Sequence, residues 1–582
     1  MLPRPLVSGA LFSALLLGVT TLAGACGDDA ATSGTGATSA SGTGAGSSTG
    51  STSSTGAGGS GGGPPSSKGC PAGITSDATV QQALPQALVD TAMVAPTGVT
   101  IAVAAGGDLQ GAIDGAAPGD VVSIEAGATF TGTITLPNKP GSGWITIRTA
   151  APDADLPEEG TRVDPSYAPK LARIVLPADT GPVVAFAPGA HHYRLVGLEL
   201  SPSPGVYIHS VVDVGASVSA PADLPHDIVI DRSWIHGDPS AGTRRGVALG
   251  GARVGIVDSY FTDFKEVGAD SQAIGGWNGP GPFRIVNNHL EGAGENIMFG
   301  GAPSALPNNV PSDIEVCGNH LTKPLSWKSE GWTVKNLFEI KNAARVLFAG
   351  NVLENNWAAA QVGFAVVLTP RGEGGAVPGV VHDLTFRLNH VVHSASGIAL
   401  AGNDDTGPSG GSKRVVIEHN LFEDIDRAKF GGDGRIFQVT APSQATEGLK
   451  IAHNTASIAG NAFLVMGDTV VVATGFVFRD NLVPHADYGG FGSGQGEGTQ
   501  ALDFFSPGAV FTKNAIFGGG SASSYPADNL FPADAAAVGF ENFAGGDFSL
   551  SASSALAGAA SDGTDIGADV AALVAATASV AN

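Results

Sequence analysis

Charge is scarce in this chain, and positive charge scarcer: 14% of its 582 residues are charged, with 29 Lys and Arg against 53 Asp and Glu. The formal net charge of −24 argues against nucleic acid as a partner. No metal-protease spacing occurs, so the sequence signature of zinc proteolysis is missing. The Gly-rich stretch Gly492-Ser493-Gly494-Gln495-Gly496-Glu497-Gly498 lacks the strand and helix context of a nucleotide loop and reads as a turn. The apolar run from Leu6 to Val19 is too short for a good membrane-spanning helix.

What the N-terminus does have is an export pattern: Arg4, that apolar run, then small residues to position 26. Leu22-Ala23-Gly24-Ala25-Cys26 resembles a bacterial lipobox, with Ala23 where Leu is usual. The resemblance implies lipidation of Cys26 and an anchor on the outer membrane or surface of a Gram-negative bacterium; ordinary cleavage and secretion are the alternative. No charge falls between Asp29 and Lys68, and residues 27–69 are mostly Gly, Ser, Thr and Ala, a composition that makes a flexible tether. Residues 70–582 form the folded domain. The other two cysteines, Cys70 and Cys317, could pair in an oxidising compartment, but free thiols are the favoured reading because Cys317 shares its repeat column with Asp231, Arg387 and Glu418.

That repeat dominates the rest of the chain. Aligned copies place Ser233, Ser259, Asn288, Asn319, Asn351, Asn389, Asn420, Asn454, Asn481 and Asn514 in one column, 26 to 38 residues apart. Three and five residues before the column, and two after it, every residue is apolar, as in Phe283-Arg284-Ile285-Val286-Asn287-Asn288-His289-Leu290. Apolar positions two apart with an indifferent residue between describe a strand with one buried face. Coils stacked at about 4.8 Å would bring the Asn amides into contact as an internal ladder. The residue before each Asn is mostly polar or Gly, the pattern of a solvent-facing turn. The 85 glycines suit such a coil.

The pattern resembles the right-handed parallel β-helix, the pectate-lyase-like superfamily. It implies an all-β, single-stranded solenoid with coils over about residues 98–570. A capping helix is implied near Gly106-Gly107-Asp108-Leu109-Gln110-Gly111-Ala112-Ile113, and a closing turn at Asp562-Gly563-Thr564-Asp565-Ile566-Gly567-Ala568. One fold hosts many chemistries, so function is sought among polar residues that break the coil pattern.

Residues 265 to 300 are the densest such stretch, opening with Lys265. A second set of strands registers Asn296-Ile297-Met298-Phe299 with Leu337-Phe338-Glu339-Ile340, Ala365-Val366-Val367-Leu368, Gly397-Ile398-Ala399-Leu400 and Ile436-Phe437-Gln438-Val439. Glu339 and Gln438 then share an outward column, Lys341 follows on the same face, and Glu295 lies on the order of 10 Å from Glu339. Lys323, Lys328, Lys335, Lys341 and Arg345 make a locally basic window suited to a polyanion. Among β-helix enzymes the closest resemblance is to alginate and dermatan lyases, which implies a Lys and an Arg for β-elimination and an Asn/Glu set for calcium. Carried onto this chain, Lys341, Arg371 and Lys265 become the catalytic candidates, and Glu295, Glu339 and Asp270 the calcium ligands. Gly294-Glu295-Asn296-Ile297 matches a fragment of the lyases' acidic motif, with Ile297 where a second acid is expected. The expected protein is a monomeric, surface-anchored lyase of an acidic polysaccharide, touching the membrane only through its lipid. A hydrolase using Asp270, Glu295 or Glu339, and a non-catalytic β-helix that binds glycan or protein, are the alternatives.

Overall fold

A computed structural model describes residues 69–374, 377–467 and 470–581. The export signal, Cys26 and the linker up to Lys68 lie outside the described residues. The described chain is a right-handed parallel β-helix. Sheet I has 15 strands, from Thr100–Val103 to Val510–Thr512; sheet II has 13, from Thr129–Thr131 to Ala515–Phe517; sheet III has 13, from Ile134–Leu136 to Gln495–Glu497. One coil contributes a strand to each: Phe283–Val286, His289–Gly292 and Glu295–Phe299, before the next coil starts at Ser312–Cys317. Phe283 pairs with Ile314 and Ile285 with Val316, so the apolar columns stack and line a continuous buried core.

The Asn column forms the expected spine, and all ten members are fully buried. Each Asn donates its N–H and its Nδ2 to the next Oδ1, as from Asn351 to Asn389 at 2.9 and 3.0 Å. Nδ2 also reaches back to a carbonyl of the preceding coil, Asn389 to Phe348 O at 3.0 Å. The serines keep the backbone half of this pattern, with Ser233 N–H to Ser259 Oγ at 3.1 Å and Ser259 N–H to Asn288 Oδ1 at 2.9 Å. The ladder runs one step past the sequence column, from Asn514 to Asn529 at 3.0 Å. That step falls outside the repeat because only 15 residues separate the two.

The residue before each Asn turns the corner at positive φ, 55° at Leu388 and 58° at Lys513, with Gly318 and Gly350 taking it without steric cost. The expectation of a solvent-facing turn needs correction, since Asp258 and Asp480 are 1% and 0% exposed. Two segments from opposite ends of the chain lie across this corner. Gly160 N–H donates to the Asp258 carboxylate at 2.8 Å, and Ser561 N–H to Asp480 at 2.7 Å.

The coil ends differ. Helix Leu109–Gly115 caps the start as expected, with the Asp108 side chain accepting from Gly111 N–H and with Leu109 and Ile113 buried. At the far end the stacks stop at Phe517 rather than near residue 570. Val538, Leu556 and Ile566 cluster with Phe517 there. The Asp562–Ala568 segment closes no coil but returns along the Asn corner, where Gly567 N–H donates to Asp480 O and Ala568 N–H to Thr455 Oγ1.

Cys70 and Cys317 are not free thiols; they form a disulfide with Cα atoms 5.1 Å apart. The reason is a strap, residues 70–97, that crosses several coils on the outer face of sheet I. Gln82 Nε2 donates to Thr385 Oγ1 at 3.1 Å, Lys450 pairs with Asp77 at 2.8 Å, and Arg194 donates to the Thr91 carbonyl at 2.8 Å. A repeat column determines which way Cys317 points, not which segment covers it. Bridging positions 247 residues apart restricts the unfolded chain far more than a local bridge would.

Candidate functional site on the outer face of sheet III

Sheet III carries an unbroken outward column: Asp213, Ala248, Gly275, Met298, Glu339, Val367, Ala399, Gln438, Val465 and Phe491. The register read from sequence, with Glu339 and Gln438 in one column, is the observed one. Half of this column is small (Ala248, Gly275, Val367, Ala399 and Val465), which leaves a shallow trough between the loops at either strand end.

A bulge starts the strand that bears Glu295. Asn296 N–H and Ile297 N–H both donate to Leu337 O, so two residues oppose one. Asn296 turns in to the carbonyls of Leu290 and Thr322, and Glu295 stands outside against Gln272 Nε2 at 2.7 Å. Gln272 also accepts from Arg245 Nε at 3.0 Å, and the Arg245 guanidinium lies 4.7 Å over Trp277. Lys335 pairs with Asp270 and comes within 3.9 Å of Glu295 Oε1. One coil on, Glu339 accepts from Asn336 Nδ2 at 2.9 Å and has Lys341 Nζ at 3.5 Å. Arg371 follows on the next coil, its N–H donating to Lys341 O, its guanidinium held by Glu373 at 2.7 Å and Asp404 at 3.4 Å. Two hollows of about 30 and 40 Å³ meet at Trp277 and Gly300–Ala302.

The structure therefore gathers Glu295, Glu339, Asp270 and Lys341, with Arg371 beside them. It does not bring Lys265 there. That ammonium lies 5.0 Å from both the Trp327 and Trp332 rings and is paired with Asp263 and Glu330, at a different corner of the coil. The basic window also dissolves. Lys323 is buried, Lys328 packs on Trp357 and Phe430, and Arg345 pairs with Asp313 at the edge of sheet I. Only Lys335 and Lys341 face the trough, because neighbours in sequence travel around all three faces of a coil.

Burial, then the Glu339 and Asp270 charges, push the Glu295 carboxyl up to about 8. On the inner side of the same corner Lys323 donates into a cage made by the Gly292, Ala293, Gly294 and Asn336 carbonyls and Asn296 Oδ1. Burial draws Lys323 down to about 7, yet all its partners are acceptors, so the cage holds the ammonium form. Arg245 is lowered to about 10 by burial and by Arg244.

Two oxygen atoms of this cluster lack a donor. Glu295 Oε1 and Asn336 Oδ1 are buried with no hydrogen-bond partner, and both belong to the group around Glu339. An all-oxygen set with two orphaned acceptors suits a hard cation. Asp270, expected as a calcium ligand, is paired with Lys335.

Burial and the neighbouring carboxylates favour the protonated form of Glu295 at neutral pH, so a calcium ion taking Glu295 as a ligand would release about one proton at pH 7 and almost none at pH 10. Calorimetry in buffers of different ionisation heat would measure this, and Glu295→Gln should abolish both binding and release. No proton release at pH 7 would show that Glu295 is not a ligand. Because the folded pKa lies above the ordinary 4.5, the stabilising contribution of Glu295 is full below that value and lost as pH rises through about 8. Without calcium, Glu295→Gln should therefore be more stable than the parent at pH 9, by on the order of a few kcal/mol. Denaturant titration of both proteins at pH 9 would measure the difference.

Arg245 and the roles of Asn336 and Lys323 escaped the sequence pattern. A signal for Arg245 was present: Arg245-Gly246-Val247-Ala248 has the spacing of Gln272-Ala273-Ile274-Gly275 and Glu295-Asn296-Ile297-Met298.

No protein-family model matches the chain, and no curated protein matches it. Solved structures do. A mannuronic acid specific polysaccharide family 6 lyase from human gut microbiota is 12% identical, with TM-score 0.43, over 75% of this chain and 91% of that one. An alginate lyase from Paenibacillus sp. is 14% identical, with TM-score 0.29, over 74% and 97%. The Dettilon tailspike protein is 13% identical, with TM-score 0.32, over 71% and 62%. At these identities the likeness is one of fold alone.

Proposed function

We propose that the protein is an exported polysaccharide lyase that cleaves a uronate-containing glycan by β-elimination. The observation that carries this reading is the meeting of Lys341 with the oxygen set of Glu295, Asn336 and Glu339 on the trough floor. A calcium ion held by that set would neutralise the uronate carboxylate and acidify the adjacent C–H. Lys341 would take the proton from that carbon as the electron pair forms the new double bond, the glycosidic C–O bond breaks and the departing oxygen takes a proton from solvent. Arg245, which has no carboxylate partner among the described residues, is free to bind a second uronate, with Trp277 beneath it. Arg371 anchors the loops carrying Glu373 and Asp404 and so shapes the wall. The disulfide suits an oxidising compartment and supports export. Lipidation at Cys26 belongs to the same proposal.

The test is incubation with alginate, pectate and glycosaminoglycans, with and without calcium, following the ultraviolet absorbance of unsaturated uronate. A calcium-dependent rise on at least one polymer is expected, and no rise across the panel would remove the lyase reading. One observation favours a second reading, a non-catalytic glycan binder: Lys341, Lys335 and Arg371 each already have a carboxylate partner. Binding of a polymer without unsaturated product would establish it.

A further inference from the structure

The outward column of sheet III does not end among charges. It ends at Phe491, which pairs with Val465 in the last parallel step, and here the hairpin Gly490–Gly492 and Gln495–Glu497 closes the sheet. Tyr488 stands beside it, 59% exposed, with ring centroids 5.8 Å apart and planes at 70°. The two rings make an L-shaped corner in a hollow of about 350 Å³ that Asp487, Gln495 and Glu497 complete. An exposed ring in a hollow, set against a few oriented polar groups, has the make-up of a small ligand site.

The polar groups are oriented. Glu497 Oε1 is 2.7 Å from His485 Nε2, and the buried Tyr525 hydroxyl also bonds Glu497, which holds the carboxylate at the rim. The nearby cations are spent: Arg427 pairs with Asp487 at 2.7 Å and Arg435 with Asp433 at 2.7 Å. A uronate placed here would set its carboxylate against Glu497 with no free cation to offset the repulsion. A neutral pyranose would pack its C–H face on the rings and donate hydroxyls to Glu497 and Gln495.

We infer that Tyr488, Phe491, Gln495 and Glu497 form a distal subsite for a neutral hexose unit. The inference rests on sheet III being a glycan trough, and it deepens the proposed function. Five strand steps separate Phe491 from Glu339, roughly 24 Å along the trough. A chain that spans both ends therefore carries a uronate at one and a neutral sugar several units away. The substrate class is a mixed heteropolysaccharide, not a homopolymer of uronate.

Titration calorimetry of the whole protein with cellopentaose, mannopentaose and laminaripentaose, and with pentaguluronate as the acidic comparison, tests this. At least one neutral pentaose is expected to bind, at least tenfold more weakly to Tyr488→Ala and Phe491→Ala, and near wild type to Tyr488→Phe. Circular dichroism and the thermal midpoint check that the alanine variants fold; Tyr488 is exposed enough that its variant should. No neutral pentaose bound, binding indifferent to Tyr488→Ala, or pentaguluronate bound through Tyr488 would each overturn the inference. If neutral binding behaves as expected while no polymer yields unsaturated uronate, the subsite stands and the lyase reading fails.

Discussion

Lys341→Ala is expected to leave the protein folded and to slow uronate elimination by roughly 10²- to 10⁴-fold, the range for removing a positioned general base. The side chain is about 10% exposed, on the trough floor, with its Nζ 3.5 Å from Glu339 Oε1. Truncation removes the amine without opening the core, because the residues facing inward on that strand are Phe338 and Ile340. The loss should fall on kcat, with KM nearly unchanged, since Arg245 and Trp277 still hold the chain. Calcium affinity should not fall, because Glu339 loses a competing cation. Steady-state kinetics on the best polymer, with calcium titration of the same variant, would measure both effects. Turnover within tenfold of wild type would exclude Lys341 as the base.

Asn389→Ala should break the spine at a fully buried step, costing about 3–6 kcal/mol. In a fully buried site Asn351 N–H would lose its acceptor and Asn351 Nδ2 one of its two, Val316 O remaining, while Phe348 O and Asn420 Oδ1 would each lose a donor. Each stranded buried donor costs roughly 1–3 kcal/mol, and burial on every side keeps solvent from compensating. Asn389→Ser should cost clearly less, because Ser233 and Ser259 already accept the backbone bond with a hydroxyl. The denaturant midpoint and slope distinguish the two. Coils contact only their neighbours, so the slope itself should fall if unfolding splits into two blocks at the lesion. A loss under about 1 kcal/mol for the alanine variant would mean that the ladder is not what holds the coils in register.

The spine and the registers were legible because they are local rules repeated. Period-two apolarity and one Asn per coil are set by the stacking of parallel strands at about 4.8 Å, and every coil obeys them in its own sequence. The same logic placed Glu339 and Gln438 together correctly. It failed at Lys265, Lys323, Lys328 and Arg345. Their partners, two indoles, a carbonyl cage, an aromatic corner and Asp313, come from other loops or other faces of the coil. Asn336 was visible as a polar residue but not as half of an orphaned oxygen pair, since that depends on the bulge that turns Glu295 outward.

The amino-acid sequence by itself determined the solenoid, its direction of growth, its buried Asn column and the face on which polar side chains accumulate. Each of those follows from a residue's own coil and its immediate copy one repeat away. The tertiary structure alone decided which acids lose their water, which lysines are spent on packing, and that Cys70 reaches Cys317. Burial and pairing depend on segments that cross coils, the strap of residues 70–97 and the corner loops, and no repeat encodes where a crossing segment comes to rest.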